Sequence, residues 1–471
     1  MKPAFRWTGA AVREALDSAP SGDELTFSGV STDTRSLAEG DLFVALRGPR
    51  FDGHDFLEEA VSSGASGVVV EEGSEVPVRT AVFEVPDTLV ALGRLARFRR
   101  RSLGWTVVGI TGSAGKTTAK DLLRAALSRS FSVHATRGNR NNRVGLPLTL
   151  LEAPEESQVV VAEMGTNEPG EIEILTAIAE PDLALLTTVG EVHLEGLESR
   201  EGVFLEKLAL LSGLPEDGWA VVGDDPADLP VRARGVFSST VVAGLSPAAD
   251  PRYRPDELEM RSDGCYRFLW RGNSVGLLIP GLPAVRNAVL ALAVADRLGV
   301  PSAKAAEAIG GVPAPPLRGE TRHFGRLTVL VDCYNANPQN MRAALELLSA
   351  VPAEKGKVAV LGSMLELGAA SESHHQEIIA DAARRSFQLV LFVGEDFVRA
   401  ATSLGEDVKP ASRVRTVAST EEALNILEEE LSGEELLLLK GSRGIALERL
   451  LPHLEEKWSS STQHHGSGGE A

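Results

Sequence analysis

The stretch "WTVVGITGSAGKTTAKDLL", Trp105 to Leu123, sets an apolar run before two glycines, a lysine and a pair of threonines. In that order Gly112 and Gly115 let backbone N–H groups close around phosphate oxygens. Lys116 adds a point charge, and the helix expected after it presents its positive end. Thr117 can place its hydroxyl on Mg2+, so the loop of Thr111, Gly112, Ser113, Ala114, Gly115, Lys116, Thr117 and Thr118 is a candidate phosphate cradle. Its spelling departs from the Walker pattern, because Ile110 stands where that pattern has its first glycine.

Three further residues carry chemistry of the same kind. "VVVAEMG" sets Glu163 at the end of an apolar run, where a carboxylate can hold Mg2+ directly or through water. "TTVGEVHLEGLES" places His193 just past another run, and "FLEKLALL" brings Lys207. Taken singly, each has a plainer reading: Glu163 as a cap, His193 as a structural ring, Lys207 as a solvated helix-surface residue.

These residues need strands and helices to hold them. "WTVVGITG", "QVVVAEMG", "LALLTTVG" and "WAVVGDD" read as short strands separated by helical segments. The alternation returns after residue 320 with "LTVLVDCYNANP", "KVAVLGSM", "LVLFVGE" and "ELLLLKGSRG". Two parallel α/β units follow, and in such sheets ligands gather beyond the carboxyl ends of the strands. Between the units "AIGGVPAPPLRGE" (Ala308 to Glu320) reads as a hinge, because its prolines and paired glycines disfavour helix and strand. The first hundred residues suggest a small separate α/β domain, closed by "RFRRRSLG", whose basic run reads as a solvated helix end. "YRFLWRGNSVGLLIPG" predicts a β-hairpin late in the central unit. The expected division is 1–100, 101–312 and 313–457, with a disordered tail over 458–471.

Composition agrees with that plan. A chain of 471 residues needs several cores, and 43% hydrophobic with 24% charged residues is globular. No run approaches the ~18 apolar residues of a membrane span, and the N-terminus lacks an apolar core followed by a small-residue cleavage site. A net charge of −19 argues against nucleic acid or an anionic membrane as partner, so phosphate binding must be local. Cys265 and Cys333 are far apart and form no C-x-x-C pair, which fits a reducing cytoplasm.

The ordered set "TGSAGKTT", "TRGNRNNRVGLPLTLL", "VAEMGTNEPGEI", "VGEVHLEGL", "NAVLALAVA", "DCYNANPQNM" and "LLLKGSRG" resembles the Mur ligases, the ATP-dependent amide-forming enzymes of bacterial cell-wall synthesis. The resemblance runs to about residue 457. It implies three domains: a UDP-sugar-binding N-terminal domain, a central phosphate-loop ATPase-type parallel sheet, and a C-terminal Rossmann-like domain closing over the nucleotide. "YNANP" and "KGSRG" resemble the members that join D-alanyl-D-alanine to UDP-N-acetylmuramoyl-tripeptide through an acyl phosphate. ATP and two Mg2+ ions are then expected, in a cytoplasmic monomer.

Residue by residue, the resemblance implies that Lys116 touches the transferred phosphate, that Thr117 and Glu163 serve one Mg2+, and that His193 serves the second. Lys207 matches a position where the family carries a lysine carbamate. Asn287 resembles an adenine contact, preceded here by Arg286 where histidine is usual. Arg318 resembles an arginine that reaches the γ-phosphate on closure, Asp332 a ribose contact, and Asn337 a nucleotide contact; Val331 replaces an acidic residue often found there. Ser31, Thr32, Asp33, Thr34 and Arg35, with Arg47 and Gly48, resemble the uridine and diphosphate segment. Asn141, Asn142 and Thr149 would meet the muramoyl-peptide, Tyr334 and Asn335 complete a signature, and Lys440, Ser442 and Arg443 would lie near the incoming dipeptide.

The nearest alternatives are another amino-acid ligase of the same family or a folylpolyglutamate synthase. The members that add meso-diaminopimelate carry a D-N-P-R stretch, and no "DNP" occurs here. A phosphate-loop nucleotide switch outside the ligases would account for "TGSAGKTT" but not for the later motifs in order.

Overall fold

The computed structural model describes residues 5–17, 25–76, 80–404 and 413–459. Three α/β units follow one another along the chain, as expected. The first holds a parallel sheet ordered Val30–Ser31, Leu42–Val44, Gly67–Glu71 and Ala81–Val85. Trp7, Phe27 and Phe83 fill the core beneath it, against Leu92 and Leu95 of the helix Thr88–Leu103.

The second unit is a six-stranded parallel sheet in the order Thr240–Val242, Trp219–Val222, Leu183–Leu186, Thr106–Thr111, Val159–Glu163, Val133–Ala135. Its central strands are buried along their whole length, because helices cover both faces; that is why they read as unbroken apolar runs. Strand Thr106–Thr111 lies where the chain changes direction across the sheet, the position at which such folds open a crevice. The expected hairpin forms, as the last two strands of a three-stranded antiparallel sheet, Asp256–Met260, Cys265–Trp270 and Asn273–Pro280.

The third unit orders its strands Glu320–Phe324, Leu327–Asp332, Leu436–Lys440, Lys357–Gly362, Leu389–Val393, Val414–Val417, with only the first antiparallel. Strand ends Asp332, Gly362 and Lys440 lie side by side at the carboxyl edge, and Asp332 lines a cavity shared with the central unit.

Four expectations need correction. The boundary at residue 100 falls inside the helix Thr88–Leu103, which packs against elements of both the first and the second unit. Its basic run is only partly solvated: Arg101 is exposed, whereas Arg99 and Arg100 are 8% and 9% exposed. Nη1 of Arg99 donates to the carbonyls of Leu150, Leu151 and Ala153, which end the helix Gly145–Glu152, and Arg100 pairs with Asp182 at 2.8 Å. The hinge is shorter than read, because the helix Ser302–Gly310 and the strand from Glu320 take its two ends. Trp458 and Ser459, assigned to the tail, complete the helix Leu450–Ser459, with Trp458 buried. The rest of that tail, 460–471, lies outside the described residues. Among the described residues no helix is long and apolar enough to cross a membrane.

Candidate active site

The loop after strand Thr106–Thr111 has the backbone its glycines permit. Gly112 sits at φ 147° and Gly115 at φ 80°, and the helix Lys116–Leu127 starts immediately after. A Cβ on Gly112 would strike Thr187, and one on Gly115 would strike the amide of Asn287, so neither position admits another residue. Nζ of Lys116 donates to the Gly112 carbonyl at 2.7 Å, curling the side chain over the loop. Burial in the cleft, and after it the charge of Arg318, pulls the Lys116 amine below the ordinary lysine range against the opposing effect of Glu163.

Glu163 ends the neighbouring strand. Its Oε1 accepts from the Thr117 hydroxyl at 3.2 Å and from Nδ2 of Asn141 at 2.9 Å, while its Oε2 is buried with no partner. Lys207 lies in the helix Arg200–Ser212 and is 0% exposed, which corrects its reading as a surface residue. Its Nζ has no hydrogen-bond partner, and burial, followed by the charge of Lys116, holds it well below the usual lysine range. His193 caps the short helix Leu194–Leu197 at φ 51° and meets Glu366 of the third unit, Nδ1 to Oε2 at 2.6 Å. That hydrogen bond holds Glu366 below the usual carboxylate range.

A buried carboxylate oxygen and a buried amine, both orphaned, are costly unless something else satisfies them. The hard-oxygen set of Thr117 and Glu163 beside a phosphate loop suits Mg2+, which draws its remaining ligands from phosphates and water. Among the described residues no group of three or more His, Cys, Asp or Glu side chains is placed to hold a metal ion.

The opposite wall comes from the third unit. Arg318, Asp332, Tyr334, Asn335 and Asn340 line the same cavity as Lys116, Thr117, Thr118, Glu163, His193 and Asn287, about 450 Å3 in volume. The Arg318 guanidinium lies 3.7 Å from the centre of the Tyr334 ring, a stack that fixes its direction. A second cavity, about 470 Å3, adjoins past Gly115 and Asn287 and is walled by Arg286, Tyr266 and Leu290. Arg286 pairs with buried Asp224 at 2.6 Å. Together the two cavities can take a phosphate chain on one side of Asn287 and a flat ring system on the other.

Several expected contacts lie elsewhere. Thr111 turns into the sheet and donates to the Met164 carbonyl at 2.9 Å. Ser113 lines the cleft, though its hydroxyl is bound to Gly190, and Thr149 donates to the Gly145 carbonyl inside its own helix. Asn142 lines the cleft, but its Oδ1 accepts from the Gly145 amide at 2.8 Å. Asn337, 3% exposed, is the N-cap of the helix Pro338–Ala350; Asn340, one turn on, faces the cavity instead. Lys440 is 1% exposed and gives its ammonium to Asp332 and Asn335, so it braces the ligand-facing loop and does not reach a ligand. Ser442 accepts from the Leu365 amide at 3.0 Å, and Arg443 pairs with Glu448 at 2.9 Å.

The first unit's residues form a separate polar group away from this cleft. Ser31 binds the backbone of Asp33, with Thr32 and Thr34 beside it in the turn. Arg35 holds the Asp33 carboxyl down at about 2 by a hydrogen bond. Arg47 bridges Asp52 and Glu71, and the Gly48 amide donates to the Phe51 carbonyl. Residues that the sequence reading passed over also line the cleft, among them Asn139, Thr166, Asn167 and Glu171. "GTNEPGE" announced a glycine-bounded polar turn at a strand end, the only signal that could have found three of them.

Comparison with known proteins gives three family matches in chain order. Residues 26–100 match the Mur ligase family catalytic domain, 110–295 the Mur ligase middle domain, and 318–443 the Mur ligase glutamate ligase domain. The chain is 35% identical over 449 residues to UDP-N-acetylmuramoyl-tripeptide–D-alanyl-D-alanine ligase of Bacillus subtilis, covering 93% of this chain and 95% of that one. It is similar to the crystal structure of MurF from Acinetobacter baumannii, with a TM-score of 0.87 and 29% identity over 96% of this chain and 100% of that one. Against MurF from Thermotoga maritima in complex with ADP the TM-score is 0.81, at 28% identity over 92% and 98%.

Proposed function

The chain belongs to the Mur ligase family, and from that membership we infer the reaction its cleft performs. It is an ATP-dependent ligase of peptidoglycan synthesis that joins D-alanyl-D-alanine to UDP-N-acetylmuramoyl-tripeptide. The observation that carries the chemistry is the cleft itself, with a phosphate loop on one wall and the stacked Arg318 on the other.

A carboxylate and an amine do not condense in water, because hydroxide-like oxygen is a poor leaving group. The terminal carboxylate of the tripeptide attacks the γ-phosphorus of ATP, forming an acyl phosphate and releasing ADP. The neutral amine of the dipeptide, its ammonium proton lost, then attacks the acyl carbon. The tetrahedral intermediate collapses to an amide and expels inorganic phosphate. In the first step negative charge moves onto the β–γ bridging oxygen, and the loop amides, Lys116 and Arg318, which line the cleft, would stabilise it. In the second, the cleft excludes the water that would hydrolyse the acyl phosphate.

Thr117 and Glu163 would hold one Mg2+ and His193 a second, and when bound these ions supply charge neutralisation along the phosphates. Burial of the orphaned Lys207 amine favours its uncharged form, the form that adds CO2 to give a carbamate and a proton, and the buried base would then become an anionic partner for the cation. Asn287 separates the phosphate side from the base side of the nucleotide. Ser31, Asp33, Arg35 and Arg47 would take the uridine diphosphate. With ATP and a nucleotide-linked precursor as substrates, the enzyme works in the cytoplasm as a monomer.

The test is phosphate release from ATP with each substrate withheld in turn, and the product weighed by mass spectrometry. Turnover is expected only with both substrates present, and the product should carry the dipeptide mass. Turnover without either, or a product lacking that mass, would sink the assignment.

A further inference from the structure

His193 follows the strand Leu183–Leu186 of the central domain, and Glu366 follows the strand Lys357–Gly362 of the C-terminal domain. Their side chains meet across the boundary in a single contact, Nδ1 to Oε2 at 2.6 Å. Each is left-handed, His193 at φ 51° and Glu366 at φ 65°, a conformation that side chains other than glycine keep only where the surroundings impose it. Here the surroundings do so from both sides. The Glu195 amide donates to the Glu366 carbonyl at 3.4 Å, and Nε2 of His374 lies 3.4 Å from Glu191. The Glu366 side chain is itself 56% exposed, and an exposed pair of long, free side chains would carry little meaning. This pair is short and is set on two constrained backbones.

An ionised carboxylate can only accept, so Nδ1 is the donor of this hydrogen bond and Nε2 is the ring nitrogen left for a cation. Nε2 has no hydrogen bond among the described residues, and His193 lines the cleft. Histidines that ligate a cation ordinarily give their other ring nitrogen to an oxygen acceptor, which fixes the ring and its tautomer. Here the acceptor comes from a different domain.

We propose that Glu366 is a positioning residue for the cation site, fixing His193 with Nε2 free for the cation only while the C-terminal domain is docked. Docking of that domain then completes the ligand set, so phosphate chemistry is withheld until the cleft is closed. The inference rests on the ligase reading above, which gives His193 to the second Mg2+.

The test is Mn2+ binding to the full chain with ADP, followed by the electron paramagnetic resonance of free Mn2+. Glu366→Ala should weaken the weaker Mn2+ site about tenfold or more. Glu366→Gln, whose amide oxygen still accepts from Nδ1, should retain most of that affinity. Nitrogen-15 resonances of the His193 ring in the cation-free protein should report the Nδ1-protonated tautomer in the native chain and a mixture in Glu366→Ala. Unchanged Mn2+ affinity in Glu366→Ala, or an unchanged tautomer, would overturn the proposal. Product mass is read separately: if no pentapeptide forms while the Mn2+ effect persists, the ligation reading falls and the role of Glu366 stands.

Discussion

Lys207 in the central domain and Lys440 in the C-terminal domain are 0% and 1% exposed, yet their surroundings differ in the respect that decides their chemistry. Lys440 ends the strand Leu436–Lys440 and replaces its lost water with the carbonyls of Asp332 and Asn335 and the Asp332 carboxylate. Lys207 has no such replacement among the described residues. A buried ammonium must find oxygens or lose its proton. One lysine is therefore a hydrogen-bonded brace, and the other is an unpaired amine whose burial favours the uncharged, reactive form.

The largest expected effect is on Lys207. Lys207→Met should lower turnover about 100- to 1000-fold, the usual loss for a transition-state charge partner, while leaving the melting temperature equal or higher. Full activity at limiting Mg2+ would erase the contrast between the two lysines. Lys440→Met should do the reverse, costing about 2–3 kcal/mol in urea unfolding because two carbonyls and a carboxylate only a third exposed lose their donor. Unchanged stability would show that the brace carries no load.

The pH dependence sharpens the same contrast. The folded-state value of Lys207 lies below its unfolded value, so the unfolded chain binds the extra proton between the two. Stability of the bicarbonate-free protein should therefore rise with pH through that window, up to the ordinary lysine range. Lys207→Met should remove that part of the slope, and an identical slope in equilibrium unfolding would contradict a neutral amine. The smallest effect is expected at Arg286, a cation already matched by Asp224 but a third exposed. Arg286→His should leave stability within about 1 kcal/mol and raise the KM for ATP with kcat unaltered.

The same two residues mark how far sequence could reach. The parallel sheets and the strand-end placement of Lys116 and Glu163 were legible, because unbroken apolar runs followed by glycine admit few other folds. The burial of Lys207 was not, since "FLEKLALL" fits a half-exposed helix and only the packing of neighbouring elements decides which face is covered. Lys440 failed in the opposite sense: "KGSRG" looked like a ligand contact, and its amine proved to be spent on Asp332 and Asn335. Asn337 misled for a related reason, because an asparagine before proline caps a helix as readily as it binds a nucleotide. Glu366 carries no local signal at all; it matters only because another domain brings His193 to it.

The reaction is tested most directly by the path of one oxygen. With the terminal carboxylate of the tripeptide labelled with oxygen-18, attack on ATP makes that oxygen the bridge of the acyl phosphate, and amide formation expels it. The inorganic phosphate released should therefore carry one oxygen-18 per turnover, and unlabelled phosphate accompanying pentapeptide product would contradict carboxylate activation in this cleft.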